Sequence, residues 1–313
     1  MRKLVLLRAS LFMMVLLIAA SPVRAQNVTW VGPDGSDSNP CTQTLPCATF
    51  LGAYQFRNAS QINCLGSGNY GPIIITGSLT IDCGAGNVGN IVVANESIAQ
   101  GGDAAITIET STEATIILRH LALTNLGPFA ALGIITKTFA TGTVIIEDCT
   151  VQGFSGVGIS FTPPFGRGLL QVSNSLISGN LGGIEVLPSG SAIASVTLNR
   201  VELVGNSGGG LVFQGNVVAG TMRHSVVVGN GSAGVLVESS QAFFTIEETS
   251  IVDNLVNGIQ TNSAGAVVNV GSSTIGGNGT GVLASQGSII SFGNNQMSTN
   301  ATNGNFTSTT ALQ

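Results

Sequence analysis

Charge is what this chain has least of. Asp, Glu, Lys and Arg make up 8% of its 313 residues, against about a quarter in an average soluble domain. Aromatic residues are also few, with one tryptophan and two tyrosines. A coiled coil needs Ala, Glu, Lys, Leu and Arg at heptad spacing, and a disordered tail needs high net charge with low hydrophobicity, so both are excluded. Collagen is excluded because the 43 glycines do not fall at every third position. Glycine is nonetheless about twice as frequent as usual. What remains is a neutral-surfaced, turn-rich, hydrophobic protein.

Residues 1–25 have the form of a secretory signal peptide: basic Arg2 and Lys3, an apolar stretch from Leu11 to Ala20, and Val23-Arg24-Ala25 before the cut. The alternative is an uncleaved anchor, which needs about 20 consecutive apolar residues, and Arg8 shortens the run. Cleavage after Ala25 is therefore expected, with a secreted, periplasmic or extracellular destination and no membrane span in the mature chain. Ten basic residues less Arg2, Lys3, Arg8 and Arg24 leaves six against fifteen acidic ones, a net charge of −9. Nucleic acid and anionic membrane surfaces demand clustered cations and are excluded as partners. Four of the five cysteines, Cys41, Cys47, Cys64 and Cys83, lie in the first third. In an exported chain they form two disulfides, and of the three pairings Cys41 with Cys47 and Cys64 with Cys83 is the expected one. Cys149 is left over.

The main signal is an internal repeat. Anchors at Leu126, Phe154, Asn180, Asn206, Asn230, Asn254, Asn278 and Asn300 are 22 to 28 residues apart. Three residues before them stand Leu123, Val151, Ile177, Leu203, Val227, Ile251, Ile275 and Met297; eight before stand Leu118, Ile146, Val172, Leu198, Met222, Ile246, Val270 and Phe292. Ten before, the column runs from Ile116 to Val268 and Ile290, with Gly220 its one exception. Apolar spacing of two among mostly β-branched residues is strand periodicity. After each anchor come glycine and a further strand, as in Leu181-Gly-Gly-Ile184 and Gly231-Ser-Ala-Gly-Val235. Glycine and asparagine there are expected to supply the positive φ angles of tight corners. Each coil thus has about three short strands and three turns, and weaker coils are expected around Ile73 to Ile75, Ile81 and Ile106 to Ile108.

This pattern resembles the right-handed parallel β-helix, or pectin-lyase-like, superfamily. Trp30-Val-Gly-Pro-Asp-Gly-Ser-Asp-Ser-Asn-Pro40 and Leu45-Pro-Cys-Ala-Thr-Phe50 are similar to the segment that begins many such secreted proteins. The resemblance implies a short helix that caps the first coil, for which Phe50 to Arg57 is available. The expected organisation is a signal peptide (1–25), a disulfide-stapled N-terminal cap (26–70) and a single-stranded all-β parallel β-helix (71–313). At about 4.8 Å per coil the rod is about 50 Å long, and a monomer is expected.

With the register set, the charged residues acquire neighbours. Arg119 falls beside Glu147, His120 beside Asp148, Arg223 beside Glu247 and His224 beside Glu248, all one coil apart. Cross-strand ion pairs are the reading of both histidines, since no nucleophile or metal-ligand cluster is in register with them. Cys149 belongs to a column of small and mildly polar residues with Ser175, Ser225, Thr249 and Ser273, which indicates an inert buried thiol.

The strand after the glycine turn presents two outward columns. One contains Ile135, Ser160, Glu185, Val212, Leu236, Gln260 and Leu283; the other contains Lys137, Thr162, Leu187, Gln214, Glu238, Asn262 and Ser285. The resemblance places a substrate groove along such a sheet, so Gln214, Gln260 and Asn262 are the candidate ligand-binding residues. Glu185 and Glu238 are two coils, about 9.6 Å, apart along the axis, at the upper end of an inverting glycosidase pair. With Lys137 they are the catalytic candidates. The polygalacturonase branch would require paired aspartates, Gly-His-Gly and Arg-x-Lys, and none is present. Asp34, Asp37 and Asn39 offer oxygen ligands for calcium, though Asp-Gly-Ser-Asp is also ordinary turn chemistry. Asn230-Gly-Ser and Asn278-Gly-Thr are glycosylation sequons at turn anchors.

Three functions are carried forward. The first is an extracellular scaffold or carbohydrate-interacting protein that recognises a polysaccharide or envelope glycan without catalysis. The second is a divergent lyase or hydrolase of uronate-rich polysaccharide, and the third a surface adhesin. No cofactor is required, calcium being the one ion considered, and no translocation barrel is expected after the last coil.

Overall fold

Short β-branched strands that bury alternate residues can be covered only by neighbours of the same kind, and here each strand pairs in parallel with its counterpart one coil away. The computed structural model describes residues 27–55, 57–84, 86–94, 104–111, 113–127, 132–138 and 141–310; the expected signal peptide lies outside them. The architecture is an all-β, right-handed parallel β-solenoid of about nine turns with about 25 residues per turn. The first of its three sheets begins with Val28–Val31, Gln61–Cys64 and Leu79–Asp82 and ends at Ser308–Thr309. The second runs from Gly68–Asn69 to Gln296–Ser298 and the third from Ile73–Ile75 to Thr302–Gly304.

The apolar columns stack as expected. Ile116 pairs with Val144, Leu118 with Ile146 and Leu123 with Val151, and the series continues in register to Val268, Val270 and Ile275, all buried. Two positions depart from expectation. Leu126, the first anchor, is 72% exposed and does not enter the core. In the last coil Val268 pairs with Ile289 and Val270 with Ser291, one residue short of Ile290 and Phe292. The register shifts twice between Thr261 and Val267, and a net slip of one residue from the expected pairing exchanges the inward and outward faces of a strand. Ile289 is therefore the buried residue, while Phe292 remains partly exposed. The first of these shifts, opposite in sense to the second, pairs Asn262 with Gln286 instead of Ser285.

The corner between the first and second sheets is a single residue in the left-handed region. His120, Asp148, Asn174, Arg200, His224 and Glu248 adopt φ values of 48° to 56°, at a cost on the order of 1 kcal/mol each for a non-glycine residue. The next residue turns inward and secures the bend. Ser225 Oγ accepts from Val201 N (3.1 Å) and donates to the Arg223 carbonyl (2.7 Å), and Ser175 and Thr249 donate back in the same way. Cys149 occupies this column: its Sγ lies 3.2 Å from the Glu147 carbonyl oxygen and 3.5 Å from that of Leu118.

The corner between the second and third sheets corrects the expectation for asparagine and glycine. The anchor asparagines are not at positive φ; the residues just before them are, including Gly179, Gly205, Gly229 and Asp253. The anchors point inward and form a buried ladder. Nδ2 of Asn180 donates to Oδ1 of Asn206 (3.1 Å), and the chain continues through Asn230, Asn254 and Asn278 to Asn300 at 2.9 to 3.0 Å. The second Nδ2 hydrogen reaches a backbone carbonyl, Ile177 in the case of Asn206, and each Oδ1 also accepts the backbone N–H of the preceding anchor. Four bonds saturate each amide from Asn206 to Asn278, as burial requires, and Asn180, at the start of the ladder, makes three. The glycines that follow make room for this ladder: a Cβ on Gly158 or Gly234 would lie 2.8 Å from the Nδ2 of Asn180 or Asn254.

At the N-terminal end Cys41 bonds to Cys47 and Cys64 to Cys83, the expected pairing. A helix, α1 (Phe50–Gln55), follows Thr49, whose hydroxyl caps the Gly52 N–H at 2.9 Å. Phe50 packs on Tyr70 with ring centroids 5.1 Å apart.

Replacing Asn206 by Leu strips the backbone N–H and Nδ2 of Asn180 of their acceptor and is expected to cost about 2–4 kcal/mol. Thermal unfolding followed by circular dichroism measures this; an unchanged midpoint would remove the ladder as a structural element. Ile177→Asp puts a charge in the core and should prevent folding of the coil, read as lost protection in amide exchange.

Candidate functional site

Strand alternation fixes which side chains of the third sheet face out, and stacking brings like positions together at about 4.8 Å. Gln214 Nε2 donates to Glu238 Oε2 (2.9 Å) and Asn262 Nδ2 donates to Glu238 Oε1 (3.0 Å). Gln260 Nε2 then donates to Asn262 Oδ1 (2.8 Å), and Asn257 Nδ2 to Gln260 Oε1 (2.7 Å). The three candidate ligand-binding residues and one catalytic candidate therefore form one hydrogen-bonded chain across three coils. Glu238 is its only charge, and each of its oxygens keeps a lone pair for a further donor. In the adjacent outward column Val212 and Leu236 stand beside Gln214 and Glu238, and Gln260 follows them before Leu283. An open groove of about 430 Å³ begins two residues beyond Gln214 and Glu238, lined by Asn216, Ser240, Gln241 and Gly190 among others.

The other catalytic candidates do not join this group. Glu185 belongs to the adjacent column, between Ser160 and Val212. Lys137 lies 3.9 Å from Glu109, the two residues standing just past the ends of strands that pair one coil apart. Asp37 serves the backbone: Oδ1 accepts from Ala48 N (3.0 Å) and Thr49 N (2.9 Å), and Oδ2 from the Thr49 hydroxyl (2.8 Å). Asn39 Nδ2 donates to the Pro46 carbonyl, and Asp34 is exposed. Among the described residues no group of three His, Cys, Asp or Glu could hold a metal ion.

The ion pairs fall where the register puts them, with one addition. Arg119 Nε meets Glu147 Oε2 at 2.8 Å, Arg223 meets Glu247 at 2.6 Å and His224 Nε2 meets Glu248 at 2.5 Å. His120 Nε2 is 3.9 Å from Asp148, but its Nδ1 is 2.9 Å from Asp82, which is also 3.8 Å from Arg119. Sequence reasoning missed Asp82 because the coil that links it to Arg119 is 37 residues long, outside the repeat's usual spacing. Ser225, the neighbour of His224, is buried and bonded to backbone on both sides, and His224 Nδ1 lies 3.2 Å from Asn199 Oδ1. Burial likewise pushes the Cys149 thiol up to about 12, far from the thiolate chemistry of a nucleophile.

The chain belongs to the right-handed β-helix family: the profile of the right handed beta helix region matches residues 132–297. Among solved structures, pectate lyase Pel9A superposes with a TM-score of 0.57 at 13% identity, over 86% of this chain and 75% of that one. The A-module of the mannuronan C-5 epimerase AlgE6 from Azotobacter vinelandii gives 0.53 at 22% identity, over 74% of this chain and 65% of that one. At these identities the likeness is one of fold. No curated protein matches the sequence. Among the described residues no helix is long and apolar enough to cross a membrane.

Two measurements follow. Asp37→Ala should lower the thermal midpoint by an amount worth about 1–2 kcal/mol, the usual cost of lost helix-end hydrogen bonds, and equally in calcium and in EDTA; a drop seen only with calcium would make Asp37 a ligand. Cys149 should resist iodoacetamide at pH 8 in the folded protein and react on denaturation, as mass spectrometry would show.

Proposed function

We propose that the protein is an exported carbohydrate-binding β-helix that holds a glycan along its third sheet without cleaving it. The observation that carries this reading is the Gln214–Glu238–Asn262–Gln260–Asn257 chain. Side-chain amides and a carboxylate locked to one another on the strands of the third sheet and at their ends offer donors and acceptors at fixed intervals, and the apolar pair Val212 and Leu236 beside them suits the C–H faces of sugar rings. An acid–base mechanism wants a second ionisable group aimed at the same bond, and this network contains a single carboxylate. The pectate lyase and mannuronan epimerase likeness supports a polysaccharide, with uronates the first class to test. Two disulfides and the residue 1–25 pattern support export to the periplasm or the cell exterior. Residues 26–70, with their helix and disulfides, act as the N-terminal cap.

Glycan-array and calorimetric binding to pectate and alginate oligosaccharides test the proposal. Glu238→Ala and Gln214→Ala should each weaken binding about tenfold or more, the worth of one hydrogen bond to a charged group, while Arg200→Ala on a distant corner should not. Absorbance of unsaturated uronates and reducing ends should stay flat. Binding indifferent to both substitutions removes this face, and accumulating product establishes an enzyme instead.

A further inference from the structure

The outward face of the first sheet carries a row of charges along the edge next to the corner, with Arg167 at the opposite edge. Over six consecutive coils the outward residues next to the corner are Arg119, Glu147, Ser173, Asn199, Arg223 and Glu247, each in register with the next. The two outward columns beside this edge hold no charged residue from Thr115 to Thr245. Read backwards, the edge becomes Glu, Arg, Asn, Ser, Glu, Arg, so every cation falls opposite an anion.

We propose that this face is the interface of an antiparallel homodimer of the chain. A two-fold axis along the strand direction, midway between the coils of Ser173 and Asn199, lays a second copy face to face with its rod reversed. It keeps every column opposite itself, as an isologous interface requires. Arg119 then faces Glu247 of the second copy and Glu147 faces its Arg223, turning two intramolecular pairs into a four-charge network at each end. Arg223 and Glu247 keep side-chain exposures of 54% and 30% for this contact. The uncharged columns are matched in size by the same operation. Phe243, 59% exposed, comes opposite Thr115, Leu169 opposite Ser195, and Ile145 opposite Thr221, bulky against small in each case. An axis parallel to the rod would set the charged edge against the other edge of the face and lose both matches. Six strands at about 4.8 Å and five residues at about 3.3 Å give a flat area on the order of 500 Å² per copy, at the small end of specific interfaces. The dimer is therefore a weak one, with a Kd of roughly ten micromolar or above. It departs from the monomer expected from sequence, and it leaves the third sheet open.

Sedimentation velocity on the purified protein from roughly 1 to 300 µM tests this, with circular dichroism to verify folding. The native protein should dimerise across that range and dissociate as salt rises, because the end networks are screened. Phe243→Asp should be monomeric. The double swap Arg223→Glu with Glu247→Arg preserves net charge and the intramolecular pair, yet sets like charges against Glu147 and Arg119 of the second copy; it should weaken dimerisation at least tenfold. A native protein monomeric at every concentration overturns the proposal, and so does a dimer that survives either variant unchanged.

Discussion

A buried amide is tolerated only when all its hydrogen-bonding capacity is used, and the asparagine ladder meets that condition in one geometry. Each side chain must reach the next at the coil-to-coil distance while its second hydrogen finds a carbonyl of the coil before. The ladder therefore sets the rise, the alignment of the second corner and the register of the strands on either side. Other features are consequences of it. The glycines at 158, 183, 210, 234 and 258 exist because a Cβ would collide with an asparagine amide or its neighbouring backbone, and the residue before each anchor turns left-handed so that the side chain points inward.

The same economy explains the scarcity of charge. Inward columns are aliphatic, the first corner is held by inward hydroxyls, and most ionised groups in the coils are paired with their neighbours above or below. Polar side chains available to other molecules are thereby concentrated at outward positions on and beside the strands, held at the rigid spacing of the coils. A neutral chain of amides around one carboxylate, a charged edge and an uncharged sheet face are three surfaces built from one repeat, and each differs from the others only in which outward column it uses.

Much of this was legible in the sequence. Stacking like on like made the columns visible, and the pairings from Ile116 to Ile275, the two disulfides, the burial of Cys149 and the outward placement of Gln214, Glu238 and Gln260 followed from counting. Where coil length changed, counting failed. In the last coil the two register shifts between Thr261 and Val267 left the next strand one residue short of the counted pairing, which exchanged Ile290 for Ile289, and the 37-residue coil hid Asp82 from His120. The asparagines were placed correctly in the repeat but given the wrong task, because turn statistics assign asparagine to positive φ and carry no information about a neighbour one coil away.

By itself the sequence determined the architecture, since periodic burial and turn residues depend on local order along the chain. The tertiary structure decided what depends on the space between coils: that six asparagines bond to one another in a ladder along the second corner, that Asp82 reaches His120, and that Gln214, Glu238, Asn262, Gln260 and Asn257 form one network while Glu185 and Lys137 stand apart. Hydrogen bonds are directional over tenths of an ångström, and a spacing counted in residues fixes position along the axis without fixing where a side chain points.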